Sequence, residues 1–365
     1  MRPRRTRWSI LATVTAALLA GACSTGSDDS TAKAQSGPIT PASPRIQPQG
    51  CSVSDKLVPS CGALMGVSID PAGSRSVADL ESQLKRKFDL VYEFHGIDKP
   101  LPARDEARMV AEGRILHVNI EAKEFKKPSK PEIKWTQITA GEFDDALREQ
   151  ATGLGALGKP VMVTFDHEVD SPKRLGQRGT AEEFVAAWRH IHRLYAAAGA
   201  RNIVWVWVVT GYEDNLASVA SVYPGNEYVD WVSWDPYNVS GCKSGRVKPK
   251  QWKSFAETVG PFYEWLQNEG ARAGIDKDKP YILSEFGTVA DPGDPTAAAR
   301  WYAEIPAALE KFPRIKALQL WNGKVDTCDY RIERQPHTIS AFGAVARTPT
   351  FASAATGLAQ GPARR

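Results

Sequence analysis

The sequence predicts an α/β fold, a single-domain (β/α)8 barrel of the TIM type, because eight short apolar runs recur at intervals of about 36 residues. One strand and one helix together need about that length. Most of the runs are apolar throughout rather than alternating, which is typical of parallel strands buried on both faces. The runs are 63–69, 89–94, 114–120, 160–165, 202–209, 228–234, 281–286 and 317–321.

Helical patterns fill the intervals between these runs. Thr180 with Glu183 predicts a capping box, and apolar residues follow it at helical spacing. Thr139 with Glu142 predicts a second helix start of the same kind, and Ser76 precedes a third one-sided apolar pattern. A doubly wound sheet is the competing fold. It is disfavoured because no glycine-rich phosphate turn follows the first apolar run.

The amino-terminal segment predicts export. Residues 1–22 combine four arginines with an apolar run too short to span a bilayer, as in a signal peptide. The residues before Cys23 fit a cleavage site or a loose lipobox, so Cys23 is a candidate for lipidation at the membrane. Residues 23–50, rich in Ser, Thr, Pro and Gly, predict a solvated linker. We expect a secreted or surface-anchored monomer whose domain spans 51–351, with a disordered tail over 352–365.

Charge and cysteines exclude some function classes. Without the four arginines of the signal segment, 42 basic residues balance 42 acidic ones, so nucleic acid is not an expected partner. Four cysteines remain beyond Cys23 in an oxidising compartment. Their positions predict the disulfides Cys51–Cys61, near the start of the domain, and Cys242–Cys328, after two late strands. They lack the close spacing of a zinc site, so we expect neither a metal nor another cofactor.

Two glutamates end strand-like runs and are the candidate catalytic residues. Glu168 follows the fourth run in Phe-Asp-His-Glu, and Glu285 ends the seventh in Ser-Glu-Phe-Gly. The carboxyl ends of barrel strands meet on one face, where active sites lie. Two facing carboxyl groups are the minimum equipment for cleaving a glycosidic bond, and a separation of about 5.5 Å corresponds to retention. From position alone, either glutamate can be the acid or the nucleophile.

Aromatic and polar residues at the same strand ends are candidates for sugar binding, because flat rings provide the apolar faces on which pyranoses stack. A metal site that includes His167, beside Glu168, is the rival interpretation. Strand alternation sends the two side chains to opposite faces, which disfavours a metal. The candidate substrate-binding residues are His95, Asn119, Glu121, His167, Trp207, Asp235, Tyr237 and Trp321.

These residues resemble glycoside hydrolase family 26, which includes many β-mannanases. The resemblance extends over nearly the whole domain, and the order and spacing of its short motifs make it specific. The matching segments are 64–67, 140–144, 158–161, 167–168, 184–191, 202–207, 223–225, 228–231, 235–237, 284–287 and 329–331.

The resemblance implies a retaining enzyme that needs no metal. It implies that Glu168 is the acid/base and Glu285 the nucleophile. The histidine that matches His167 helps to position the nucleophile, and the tyrosine that matches Tyr237 contacts it. Trp321 matches the tryptophan on the floor of the sugar site. We therefore expect hydrolysis of a β-linked polysaccharide, foremost β-1,4-mannan.

The sequence departs from the family pattern on both sides of the acid/base. The usual His-Glu-Met-Asn-Gly reads His-Glu-Val-Asp-Ser over 167–171, and Thr164 stands where an arginine is expected. These positions shape the subsites beside the cleaved bond, so β-1,3-xylan and mixed-linkage β-glucan stay open as substrates. A carbohydrate-binding surface lipoprotein that has lost turnover is the alternative of another class.

Overall fold

A computed structural model describes residues 51–70, 76–124, 132–242 and 251–360, with side chains described to residue 355. In this part of the chain, eight parallel strands close into a barrel, as predicted from the apolar runs. β1 pairs with β2 on one side and with β9 on the other, and β6 pairs with β8, so the ring has no open edge. The barrel strands are β1 (Leu64–Ile69), β2 (Leu90–Gly96), β3 (Ile115–Glu121), β4 (Val161–Phe165), β5 (Ile203–Val209), β6 (Trp231–Trp234), β8 (Tyr281–Thr288) and β9 (Ile315–Asn322).

Three short strands lie outside the ring. β7 (Tyr237–Asn238) extends β8, and β10 (Lys324–Val325) forms an antiparallel hairpin with β11 (Cys328–Asp329). The hairpin directly follows the last barrel strand, so it stands at the carboxyl end of the barrel. A disulfide between Cys242 and Cys328 ties it to the segment after β7.

Strand alternation divides the core into two layers. One apolar cluster fills the barrel interior and includes Leu64, Met162, Val206 and Ile282. The alternate residues of the same strands, such as Val163 and Trp205, face outward and pack under the helices in a larger cluster. Because both faces of the strands are buried, their sequences are apolar throughout.

Helices cover the outside of the ring. Ser76 and Thr180 accept hydrogen bonds from the backbone N–H groups of Asp79 and Glu183, so the caps expected there are confirmed. In the described ranges the α-helices are α1 (Val77–Leu84), α2 (Arg104–Ala111), α3 (Trp135–Thr139), α4 (Asp144–Ala156), α5 (Pro172–Arg178), α6 (Ala181–Ala197), α7 (Leu216–Val219), α8 (Phe255–Trp265), α9 (Ala297–Ala303), α10 (Ile305–Lys311), α11 (Thr338–Ala346) and α12 (Pro349–Gln360). Short 3-10 turns lie at 213–215, 220–222, 226–228 and 332–334, and a π turn at 266–270.

The cap expected at Thr139 is wrong. Thr139 is the last residue of α3, and its hydroxyl donates to the carbonyl of Thr136, one turn earlier. The next helix, α4, starts only at Asp144, after the left-handed Gly141. A hydroxyl residue at a helix end can bond back into its own helix, and the capping pattern does not distinguish this from a start.

The amino-terminal end of the barrel is closed by the two ends of the described chain. The loop tied by the Cys51–Cys61 disulfide inserts Val53 and Leu57 into the interior cluster. The indole of Trp231 donates to the carbonyl of Lys56 at 2.7 Å, which fixes the loop against β6. The active face therefore lies at the opposite end.

The expectation of a disordered tail from residue 352 is wrong as far as Gln360, because α12 continues to that residue. Its first turn is anchored: the Ala63 N–H donates to the Thr350 carbonyl at 3.0 Å, and Ala354 is fully buried in the interior cluster. Small alanine side chains let the helix lie close under the barrel, which composition did not indicate. Residues 361–365 lie outside the described residues, as do the signal peptide, Cys23 and the linker.

None of the helices within the described ranges is both long and apolar enough to cross a membrane.

Two glycines on α4 differ in the space around them. A Cβ at Gly153 would collide with the carbonyl oxygen of Leu101, whereas a Cβ at Gly155 would meet Ala200 at an ordinary 3.5 Å. We expect Gly153→Ala to lower the free energy of unfolding by about 1–3 kcal/mol through overpacking. The matched control Gly155→Ala should raise it by about 0.5–1 kcal/mol, since alanine favours a helix. Denaturant unfolding measures both, and equal effects would contradict this packing.

Candidate active site

A cavity of about 440 Å³ opens at the carboxyl ends of the barrel strands. It contains both candidate glutamates. A larger hollow, of about 600 Å³, lies on the outer surface beside α6, but its lining holds a single carboxyl group, that of Glu182. The first cavity is therefore the candidate active site. In the described part of the chain it is lined by Ser68, Ile69, Asp70, Phe94, His167, Glu168, Tyr212, Tyr237, Glu285, Trp321, Val325 and Tyr330.

The backbone after β4 turns so that His167 and Glu168 both face this cavity. Asp166 and Glu168 adopt left-handed conformations, with φ of 49° and 54°. Such conformations cost about 1–2 kcal/mol each in a residue with a side chain. Asp166 is held by hydrogen bonds from the Ala122 N–H at 2.8 Å and the Trp135 indole at 2.6 Å, and by an ion pair with Arg178. These contacts offset the strain and fix the turn that presents Glu168.

A bulge in β8 turns Glu285 into the barrel. From Leu283 to Phe286, β8 advances by three residues, while the paired segment of β9, from Leu318 to Leu320, advances by two. Leu283 and Phe286 both belong to the outer apolar cluster, while the Ser284 hydroxyl meets Ser233 inside the barrel at 2.6 Å. In a regular strand, Glu285 would point outward, because it follows an inward residue. The extra residue of the bulge lets Ser284 and Glu285 both face inward.

Two neighbours hold Glu285 in place. The Tyr237 hydroxyl donates to its Oε2 at 2.6 Å, and its backbone N–H donates to Asp235 Oδ1 at 2.9 Å. Asp235 is fully buried, and its other oxygen has no hydrogen-bond partner among the described atoms. Burial, followed by the charges of Glu285 and Glu168, raises the pKa of Asp235 well above its usual value. Asp235 therefore keeps its proton to a higher pH than an ordinary carboxyl does.

The protonation state of His167 follows from its contacts. Asn119 Oδ1 accepts the His167 backbone N–H at 3.2 Å, so the amide nitrogen of Asn119 is the atom 2.7 Å from His167 Nδ1. Nδ1 is then an acceptor, and Nε2 carries the proton. This Nε2 lies 3.9 Å from Oε1 of Glu285. Burial, with the nearby charge of Arg174, lowers the pKa of His167 well below its usual value, so the ring is neutral.

The pKa values of the glutamate pair are raised together. Burial and the charge of Glu168 raise the pKa of Glu285 to about 8. Burial raises that of Glu168 as well, with further contributions from the charges of Asp170 and Glu121. Two carboxyls that interact this strongly lose their protons in two steps that belong to the pair. Burial and mutual repulsion therefore favour a state in which at least one of the two carboxyls keeps its proton.

The two carboxyls have different neighbours. The Tyr237 hydroxyl donates to this carboxylate and lowers its pKa, so the ionised form is stabilised there. The carboxyl of Glu168 faces the charges of Asp170 and Glu121, which favour its protonated form. One neutral acid beside one ionised carboxylate is the arrangement that glycoside cleavage with a nucleophile needs.

An aromatic wall, formed by Tyr237, Trp321 and Tyr330, stands beside the pair. The ring centroids of Tyr237 and Tyr330 are 4.7 Å apart, and those of Trp321 and Tyr330 5.8 Å. Gly323 permits this packing, since a Cβ there would lie 2.6 Å from the Trp321 ring. The disulfide-tied hairpin adds Val325 to the same side of the cavity. Such a wall offers flat apolar surface to a sugar ring.

Two predicted sugar-binding residues lie elsewhere. The imidazole of His95 contacts the carboxyl of Glu106 of α2 on the outside of β2, because Phe94 takes the inward position. Trp207 also faces outward from β5, where its indole donates to the Val222 carbonyl at 3.0 Å. Both residues were predicted to face the sugar site, and both predictions are wrong. Their strands are buried on both faces, so the sequence does not alternate and does not indicate which residues point inward.

Three other predicted residues support the site from behind and do not line the cavity. Asn119 orients His167, and Asp235 accepts the Glu285 N–H. Glu121 lies against the guanidinium groups of Arg174 and Arg178, at 3.5 Å and 3.4 Å. His167, Tyr237 and Trp321 do line the cavity, as do both glutamates. Both predicted disulfides are present.

Some residues of the site had not been predicted. Tyr212 follows the left-handed Gly211 after β5, and the charge of Glu168 contributes to raising its pKa. The glycine just after an apolar run was the available signal for a turn into the mouth. Phe94 and Tyr330 gave no such signal, since aromatics are common in the core. No group of three or more His, Cys, Asp or Glu side chains in the described ranges is arranged to hold a metal ion.

Comparisons with known proteins agree with this geometry. The sequence model of glycosyl hydrolase family 26 matches residues 140–247. Endoglucanase H of Acetivibrio thermocellus is 28% identical over 304 residues, which cover 79% of this chain and 31% of that protein. Mannan endo-1,4-beta-mannosidase A and B of Caldalkalibacillus mannanilyticus is 27% identical over 146 residues, 40% of this chain and 23% of that protein. The chain thus matches a third or less of the length of these relatives.

Solved structures show the same fold. An endo-beta-1,4-mannanase double mutant of Cellulomonas fimi superposes with a TM-score of 0.56 at 18% identity. The superposition covers 81% of this chain and 73% of that one.

The buried Asp235 makes stability depend on pH. The native state keeps a proton on this carboxyl that the unfolded chain loses above about pH 4, so its contribution to stability falls as pH rises from there toward the raised native pKa. Asp235→Asn removes this pH-dependent contribution to stability. Between pH 5 and 7 its free energy of unfolding should fall less steeply than that of the wild type, by at most about 1.4 kcal/mol per pH unit. Asp145→Asn, at an exposed carboxylate, should leave the wild-type slope unchanged; identical slopes in all three proteins would refute a neutral Asp235.

Proposed function

We propose that the chain belongs to glycosyl hydrolase family 26, whose sequence model matches residues 140–247, and that it is a retaining glycoside hydrolase acting on a β-linked polysaccharide, foremost β-1,4-mannan. One observation carries the proposal: Glu168 and Glu285 line the same cavity at the carboxyl ends of the barrel strands, where burial raises the pKa of both. A protonated acid and an ionised nucleophile are the two groups that double displacement requires.

The proposed reaction assigns one role to each glutamate. Ionised Glu285 attacks the anomeric carbon while Glu168 gives its proton to the leaving oxygen, which leaves a covalent glycosyl-enzyme. Glu168, now ionised, removes a proton from the attacking water, and Glu285 leaves as a carboxylate. The Tyr237 hydroxyl, 2.6 Å from Oε2, keeps the nucleophile oriented and ionised. The aromatic wall supplies the stacking surface for the sugar.

Mixed-linkage or other β-glucan is the second candidate substrate. The relative that covers 79% of this chain is named an endoglucanase, whereas the mannosidase relative covers 40%. β-1,3-Xylan stays a third candidate, because a family relative from Vibrio, 23% identical over 163 residues, is named a beta-1,3-xylanase. A product-profile screen over mannans, xylans and β-glucans separates the three and distinguishes internal from terminal cleavage.

Removal of either glutamate tests the reaction. Glu285→Ala should lower turnover by at least about 10⁴-fold, and external azide should restore cleavage with inverted anomeric configuration, because azide fills the space of the nucleophile. Glu168→Ala should accumulate the glycosyl-enzyme on an activated aryl glycoside, detected by mass spectrometry. Glu213→Ala, at an exposed glutamate near the mouth, is the control and should retain wild-type activity.

Binding without hydrolysis would contradict the proposed function. A wild-type protein that binds a glycan yet releases reducing sugar from none of those tested would be a carbohydrate-binding lipoprotein. Wild-type turnover in Glu285→Ala would also end the proposed mechanism.

We also propose that the protein is exported and anchored through a lipidated Cys23. The arginine-rich start, the short apolar run and the small residues before Cys23 support this, and a solvated linker would hold the domain about 25–30 Å from the surface. In a bacterial host that processes lipoproteins, the wild type should partition into the detergent phase. Cys23→Ala should partition into the aqueous phase. Mass spectrometry of a mature chain with an unmodified Cys23 would contradict the anchor.

A further inference from the structure

The short helix α5, directly after the loop that carries Glu168, directs an arginine at the site. Arg174 Nη2 lies 3.3 Å from Nδ1 and 3.4 Å from Nε2 of His167. Its Nη1 lies 3.5 Å from Oε2 of Glu121. The side chain is only 17% exposed, so this guanidinium lies mostly buried behind the site and not on the solvated surface.

These contacts hold the imidazole from a further side. Asn119 already fixes Nδ1, and the edge of Phe94 packs against the ring with centroids 5.1 Å apart. Arg174 is almost equally close to both ring nitrogens, so it contacts the ring as a whole and does not bond to one nitrogen. With these three neighbours in place, Nε2 can point only toward Glu285.

Arg174 also brings a positive charge into a site crowded with ionisable groups. Its charge lowers the pKa of both Glu168 and Glu285 against the effect of burial. Arg178, the other arginine of α5, is bound to Glu132 and Asp166 at the outer side. Other titratable and charged groups surround the pair and His167. They are the carboxyls of Glu121, Asp170 and Asp235, the hydroxyls of Tyr92, Tyr212, Tyr237 and Tyr330, the imidazole of His117, and the two guanidinium groups.

We propose that Arg174 is a positioning residue of this reaction, which orients His167 toward the nucleophile and keeps a positive charge beside the glutamate pair. This inference rests on the proposed function. Arg174 does not line the cavity, so it acts through His167 and through its charge and not by contact with the sugar.

The pH profile of hydrolysis tests the inference. The full exported protein is assayed on soluble β-1,4-mannan or mixed-linkage β-glucan, whichever the wild type cleaves. In Arg174→Met, which keeps the stem and removes the charge, kcat should fall about 10–100-fold with KM changed less than about threefold. Both limbs of the kcat profile should move to higher pH by at least about half a unit, because the pKa of the nucleophile and that of the acid both rise.

Two further variants separate charge from structure. Arg174→Lys keeps the charge, so its limbs should stay near the wild-type positions, while kcat drops because one ammonium cannot contact His167 and Glu121 as the planar guanidinium does. Lys173→Met removes an exposed charge from the same helix and should leave rate and profile unchanged. Thermal unfolding verifies that each variant is folded.

The outcomes are distinct. A lower rate in Arg174→Met with unmoved limbs means a merely structural role and overturns the inference, while the proposed function stands. Equal limb shifts in Lys173→Met would overturn it as well, since the effect would then be general surface charge. A wild type without hydrolysis on any glycan refutes the proposed function, and the inference falls with it.

Discussion

The cost of burying negative charge at the mouth of the barrel is the constraint on which the rest of this site depends. Glu168, Glu285, Asp235 and Asp170 lie within one loop cluster, and burial raises the pKa of each. Four ionised carboxylates could not coexist there, because their mutual repulsion would add to the lost solvation. Burial therefore favours the protonated forms of these groups, and the fold supplies donors where a charge is needed. Tyr237 supplies one to Glu285, and Thr210 supplies two to Asp170, at 2.6 Å and 2.8 Å.

Backbone geometry brings the carboxyls together in the first place. Neither glutamate reaches the cavity through regular strand geometry: Glu168 needs two left-handed residues at the end of β4, and Glu285 needs a bulge in β8. Both devices weaken local structure, and both are stabilised by groups that do no chemistry. Asp166 is tied to Trp135 and Arg178, and Ser284 to Ser233. The buried polar contacts behind the site are thus part of its construction.

The sequence predicted the fold well and the site in part, and the difference has a physical cause. A strand buried on both faces carries a continuous apolar signal, so the eight barrel strands could be found. The same continuity hides which residues point inward, so His95 and Trp207 were assigned to the wrong face. A one-residue bulge reverses the facing of everything after it, and no composition signal marked the bulge at Ser284. Glu285 was found because a charge in an apolar run is itself informative, whichever way the strand faces.

The role of the helix after Glu168 could not be predicted from the sequence. Arg174 and Arg178 are four residues apart in a helix that Pro172 begins, a spacing that on most helices belongs to a solvated face. Here both side chains are largely buried, and both guanidinium groups lie against Glu121 of β3, at 3.5 Å and 3.4 Å. Only residues 169–171 separate Glu168 from the start of α5. One short segment of the chain thus supplies both the acid and the cations beside it, the acid from its strained turn and the cations from the helix that follows.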